Sequence, residues 1–124
     1  MDALKIPATL KSLEVSLDAE TGVFLLSGRS YPENSVGFFN PIIDWLENYA
    51  LHPAAKTECT FRLEYANSAS RKNVIQVFRI LEAINKSAHP VTIIWDVEDG
   101  DDSMKETGEE YQNLFRLDFK FTTH

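Results

Sequence analysis

The sequence predicts a single α/β domain over residues 1–124, with one mixed sheet of four to five strands flanked by helices in the order β-β-α-β-α-β-α. Two observations predict it. Two alternating apolar runs, 12–18 and 23–30, lie four residues apart around Gly22, the spacing of an antiparallel hairpin. Two later runs rich in β-branched and aromatic residues, 57–65 and 91–95, each follow a stretch with apolar residues at helical spacing. Strands that alternate with helical stretches make parallel crossover units.

Residues 1–11 are weakly patterned and are expected to lie along the surface. In 12–18, Leu13, Val15 and Leu17 share one face of a strand. The segment from Ala19 to Gly22 turns the chain, with glycine available for a positive φ. Residues 23–30 form the return strand.

Tyr31-Pro32-Glu33-Asn34-Ser35 breaks that strand and supplies helix-capping side chains in Asn34 and Ser35. The next stretch, 36–49, carries Phe38, Phe39, Ile42, Trp45, Leu46 and Tyr49 toward one side. This aromatic stripe reads as core packing. Pro41 falls within it and predicts a short first turn ending near Asn40, with a second helix starting at the proline.

The third strand, 57–65, leads into the longest helix, 70–86, whose stripe is Val74, Val77, Phe78, Leu81 and Ile84. His89-Pro90 ends it. The unbroken apolar run 91–95 reads as a central strand buried on both faces. An acidic loop follows, then a helix over 104–115 and an edge strand over 117–121.

Topology locates a functional edge. Strand–helix–strand crossovers make the second, third and fourth strands parallel, so 31–34, 66–70 and 97–104 meet at one end of the sheet, the end where open α/β sheets place their sites. The candidate partner-binding residues there are Tyr31, Glu33, Asn34, Tyr65, Asn67, Asp99, Asp101 and Asp102.

Charge narrows the function further. The chain carries 12 basic and 19 acidic residues, a net −7, which disfavours nonspecific binding to nucleic acid. Residues 96–110 hold eight acids and one base, so this segment alone matches the net charge of the whole chain. No apolar run approaches the roughly 20 residues of a membrane span, and the N-terminus is not a signal peptide; a cytoplasmic protein is expected. The one cysteine, Cys59, lies in a strand and reads as a structural thiol.

Catalytic chemistry finds little support. His52, His89 and His124 lack partners at zinc-ligand spacing, and neither a nucleophile elbow nor a glycine-rich phosphate loop is present. No cofactor is expected. Glu33 and Glu64 with the acidic loop are the only candidates for a metal-dependent hydrolase, and the loop misses the EF-hand spacing.

The junction 64–72 is more informative. A strand stops, a helix starts, and Asn67, Ser68 and Ser70 stand between them. One serine hydroxyl caps the helix in the plain reading. In the sharper one a serine accepts phosphate at the positive end of the helix dipole, worth roughly 0.3–1 kcal/mol. Against a nearby carboxylate, about 8 Å away in water, the dianion costs about 1 kcal/mol, so modification there should reshape the acidic loop or the surface a partner meets.

Four ordered blocks then carry a family resemblance: Ser30-Tyr31-Pro32-Glu33-Asn34; Phe39-x-Pro41-x-x-x-Trp45-Leu46-x-x-Tyr49; Leu63-Glu64-Tyr65-x-Asn67-Ser68-x-Ser70-x-Lys72; and Val91-x-Ile93-x-Trp95 with Asp101-Asp102 and Glu106-x-Gly108-Glu109. Together they resemble the SiaC family of bacterial regulatory phosphoproteins. The resemblance implies a fold like the STAS domain of anti-sigma-factor antagonists and a partner-switch protein, not an enzyme. It implies reversible phosphorylation by a protein kinase and a PP2C-type phosphatase, with the unphosphorylated form activating a diguanylate cyclase in cyclic di-GMP signalling. By position the acceptor is Ser68, with Ser70 secondary. The family pattern Asn-Thr-Ser-Ser is here Asn67-Ser68-Ala69-Ser70. An anti-sigma antagonist that binds an anti-sigma kinase is the alternative on the same fold.

Overall fold

The computed structural model describes residues 1–124. The chain runs β1 (Leu4–Ile6), β2 (Glu14–Asp18), β3 (Val23–Ser30), α1 (Ser35–Leu51), β4 (Thr57–Ala66), α2 (Ser68–Lys86), β5 (Val91–Val97), α3 (Asp102–Leu114) and β6 (Asp118–Thr123). All six strands join one sheet, and their spatial order is their chain order. β1, β2 and β3 pair antiparallel, whereas β3 through β6 are parallel.

Sequential order has a consequence for layering. Each helix connects neighbouring parallel strands, always stepping in the same direction, and right-handed crossovers then stack on one side. Register and packing agree. Phe24 aligns with Cys59 and Ile93, and Leu26 with Phe61 and Trp95. On that face α1 meets Phe24 through Trp45 and Tyr49, α2 meets Phe61 through Phe78, and α3 meets Trp95 through Tyr111. A cluster of 25 buried hydrophobic residues fills the space between the layers. The opposite face has no helices and shows Glu58, Arg62 and Lys120 to solvent beside half-buried Leu25, Thr60 and Ile94.

The structure confirms the hairpin, the parallel trio and the edge strand, and corrects the expectation in four places. The strands number six, because 4–6 adds a short outer strand that pairs Leu4 with Leu17 and Ile6 with Val15. Three residues are too few to show alternation. Next, α1 is one helix, not two, and Pro41 lies inside it. The missing N–H removes one bond to the Gly37 carbonyl and the ring crowds it, at about 3 kcal/mol. Phe39, Ile42, Leu46 and Tyr49 are buried on one side across this point, and each such side chain contributes about 1.5–3 kcal/mol, so burial wins.

Third, β5 is internal to the sheet but covered on one face only. Val91, Ile93 and Trp95 are sealed, whereas Thr92 and Ile94 point to the bare side and are half-buried. Finally, Asp96 belongs to β5 and is 6% exposed, so it is not part of the acidic loop. The thiol of Cys59 is fully enclosed, and burial pushes it far above its ordinary range, which leaves it inert.

Gly22 shows why the hairpin turn needs glycine. Its φ is +70°, its carbonyl accepts from the Glu58 N–H at 2.8 Å, and a Cβ there would overlap the Lys56 carbonyl. The turn thereby ties β3 to the start of β4.

Candidate functional site

The carboxyl ends of β3, β4 and β5 form one edge, as parallel pairing requires. The junction after β4 is built on Asn67. Its side-chain oxygen accepts from the Ser70 N–H at 2.9 Å and its carbonyl from the Arg71 N–H at 2.9 Å, which starts α2. Its own N–H donates to the Ser30 carbonyl at 3.0 Å. The cap is therefore anchored to the end of β3.

Ser68 is the first residue of α2 and is exposed. Ser70 is different. It is 0% exposed and receives the Ser30 hydroxyl proton at 2.7 Å. A kinase cannot reach it in the folded chain, which corrects its place as a secondary acceptor: the helical turn carries it inward under the cap. Behind it the Ser35 hydroxyl donates to the Asn73 side-chain oxygen at 2.6 Å, joining α1 to α2.

Aromatic and charged side chains occupy the neighbouring strand ends. Tyr31 and Tyr65 meet edge to face with centroids 5.9 Å apart, and Tyr65 is half exposed. Arg29 Nε donates to Glu64 at 3.1 Å, and this bond and charge raise the Arg29 guanidinium above its ordinary value. Glu33 lies 3.8 Å from Lys11. Each glutamate of the hydrolase alternative lies beside its own cation on exposed surface, and no group of three or more His, Cys, Asp or Glu is arranged to hold a metal ion. Asn34 caps α1, accepting from the Gly37 N–H at 3.0 Å.

The acidic segment stands on the same edge beyond β5. Asp101 caps α3 through the Met104 N–H at 3.0 Å, and Asp102 lies in the first turn, where negative charge offsets the helix dipole. Asp99 is exposed, and its N–H donates to the His124 carbonyl at 2.9 Å. Tyr31 and Tyr65 are in contact and Asn67 precedes Ser68 at the start of α2, whereas Asp99 is bonded to His124 and Asp101 and Asp102 start α3.

Residue-by-residue reading missed the node at Asp96. It accepts from Arg62 Nε at 2.6 Å and from the Thr122 hydroxyl at 2.8 Å, with His124 Nδ1 at 3.0 Å. An Asp directly after the strand run 91–95, with Arg62 on the preceding strand, was the available signal. Desolvation pushes the Asp96 carboxyl up, and the Arg62, Thr122 and His124 hydrogen bonds outweigh it, holding the group below its usual range. A lowered folded-state value contributes stability above the unfolded value, about 3.9, that is lost as pH falls through the folded one. Acid titration of the folded fraction will therefore show a flatter decline below about pH 4 for Asp96→Asn than for wild type. Identical acid profiles would remove Asp96 from the set of stabilising carboxylates.

Comparisons with known proteins agree with this architecture. A model described as SiaC family regulatory phosphoprotein matches residues 6–124. An uncharacterised protein of Pseudomonas aeruginosa (strain UCBPP-PA14) is 29% identical over 124 residues, which span 100% of this chain and 98% of the relative. The crystal structure of apo-SiaC from Pseudomonas aeruginosa superposes with a TM-score of 0.89 at 29% identity, covering 98% of this chain and 99% of that one. A further match, with a TM-score of 0.92, 29% identity and the same coverage, comes from the crystal structure of the diguanylate cyclase SiaD in complex with its activator SiaC from Pseudomonas aeruginosa. With the family model spanning nearly its whole length, this chain belongs to the SiaC family of regulatory phosphoproteins.

Proposed function

We infer that this chain is a phosphorylation-controlled partner switch whose unphosphorylated form binds and activates a diguanylate cyclase. The observation that carries the reading is Ser68, an exposed hydroxyl at the first position of α2, on the sheet edge that also carries Tyr31 and Tyr65. A kinase transfers the γ-phosphoryl group of ATP to Ser68 Oγ, with release of ADP and the hydroxyl proton. A PP2C-type phosphatase hydrolyses the ester and returns inorganic phosphate. The exposed ring of Tyr65, with Tyr31 against it, offers an aromatic anchor to a partner, and Glu33, Asn34, Asn67, Asp99, Asp101 and Asp102 line the same edge.

The family relationship supports the regulatory role, and the SiaD complex supports the cyclase as partner class. The direction of the switch follows from size and charge. Phosphate adds about −1.5 to −2 charges at an exposed surface, enough to weaken an interface that Ser68 itself enters.

The test incubates the full chain with the source organism's kinase and ATP and maps the product by mass spectrometry. One phosphoryl group on Ser68, absent in Ser68→Ala, is expected, together with lower cyclase activation by the phosphorylated chain. Phosphate elsewhere, or none, overturns the assignment of Ser68.

A further inference from the structure

The outward side of α2 carries Lys72, Gln76, Arg79, Ala83 and Lys86, all exposed. Their spacing of four and three residues puts them in one line along the helix. Three of the five are cations, in a chain of net charge −7. Lys86 leans on Glu82 of the preceding turn at 3.7 Å, whereas Lys72 and Arg79 form no ion pair within the chain.

Beside the first half of this line, α2 and the first turn of α1 enclose an open groove of about 720 Å³. Lys72 and Arg79 stand on its rim, Ile75 and Val36 supply apolar surface, and Ser68 lies at its head. Val36 is 58% exposed and Ile75 is half-buried, so apolar surface is open to the hollow.

We propose that this groove seats an acidic amphipathic helix of the partner, with carboxylates on Lys72 and Arg79 and small apolar side chains on Val36 and Ile75. Charge complementarity selects this occupant. A nucleic-acid strand draws its affinity from many phosphate contacts and would meet only two unpaired cations here, and its bases would find no aromatic ring among the groove residues. An anionic membrane is flat and would reach the two rim cations without filling the hollow between the helices.

The inference rests on the reading of Ser68 as acceptor and gives that modification a mechanism. Ser68 and Lys72 are one helical turn apart, so their Cβ atoms are about 5–6 Å apart. A phosphoryl group on Ser68 captures the Lys72 ammonium and places like charge where the partner's first carboxylate docks. The groove closes electrostatically at its head, without movement of α2.

Binding of the full chain to the source organism's SiaD-type diguanylate cyclase, followed by calorimetry from 50 to 500 mM NaCl, tests the proposal. Lys72→Glu with Arg79→Glu should weaken binding at least about tenfold, and wild-type affinity should fall as salt rises. Glu106→Lys with Glu109→Lys, on the exposed side of α3, should leave it within about twofold. Both pairs are exposed, and circular dichroism verifies folding; if the reversed pair does not fold, Lys72→Gln with Arg79→Gln should still weaken binding in the same direction.

Unchanged binding by the charge-reversed chain overturns the groove proposal, even where phosphorylated wild type binds less tightly and the switch reading stands. If phosphorylation leaves cyclase binding unchanged while reversal abolishes it, the groove stands and the switch reading fails. Gain of binding to duplex DNA or to phosphatidylserine vesicles by wild type, lost on reversal, with no effect on the cyclase, also overturns it.

Discussion

Replacing Phe78 with alanine is expected to lower unfolding free energy by about 3–5 kcal/mol, read as a reduced urea midpoint at unchanged slope. Phe78 is fully buried and lies at the centre of the aromatic core. Its ring stacks on Phe61 at 4.8 Å, Phe115 at 5.4 Å and Phe119 at 5.6 Å, and tilts against Tyr111 at 5.0 Å and Trp95 at 6.4 Å. Truncation therefore takes packing from α2, α3, β4, β5 and β6 at once. Rigid rings on several elements cannot all slide into the void, which puts the loss at the upper part of the range. Typical domains hold about 5–15 kcal/mol in total, so a change below about 1 kcal/mol would mean that the core repacks freely.

Gly108→Leu should cost about 3 kcal/mol or more, and Gly108→Ala less. In a helix, alanine in place of glycine gains about 1 kcal/mol of intrinsic propensity. Here a Cβ would overlap the indole of Trp95, and overpacking costs about 1–3 kcal/mol. The indole has no easy retreat: its Nε1 donates to the Met104 carbonyl at 3.0 Å, and the ring is 1% exposed. Moving it strands a buried donor, a penalty of about 1–3 kcal/mol. Steric conflict thus outweighs propensity even for alanine. Thermal denaturation of both variants decides the sign, and a more stable Gly108→Ala would show that α3 can shift outward at little cost.

The legible parts of the fold were those with a long local period. α2 announces itself because Val74, Val77, Phe78, Leu81 and Ile84 recur at helical spacing and all are buried. The hairpin is equally clear from alternation. β1 escaped because its three residues owe their state to Leu17, Ser16 and Val15 on the next strand. Pro41 misled because its local rule was overridden by tertiary burial. Ile94 made β5 look covered on both sides, although an isolated half-buried isoleucine is compatible with solvent nearby.

The site was legible in part. Asn67 and Ser68 were visible as a strand-to-helix punctuation, and parallel crossovers placed Tyr31 beside Tyr65. What could not be read was inward or outward pointing within one turn: Ser68 and Ser70 differ only in their angle about the helix axis. The role of Asp96 depends on atoms far along the chain, Arg62 and Thr122, whereas Asp101 caps α3 through an amide only three residues on. Composition pooled both into a single acidic tract.

The uncovered side of the sheet offers a practical handle. Because the native thiol of Cys59 is sealed and unreactive, a cysteine introduced at Glu58, on the side away from α2 and Ser68, becomes the sole attachment point for a dye. A fluorophore tethered there rides behind the regulatory edge, out of the way of an incoming protein, and can report each docking event without touching it.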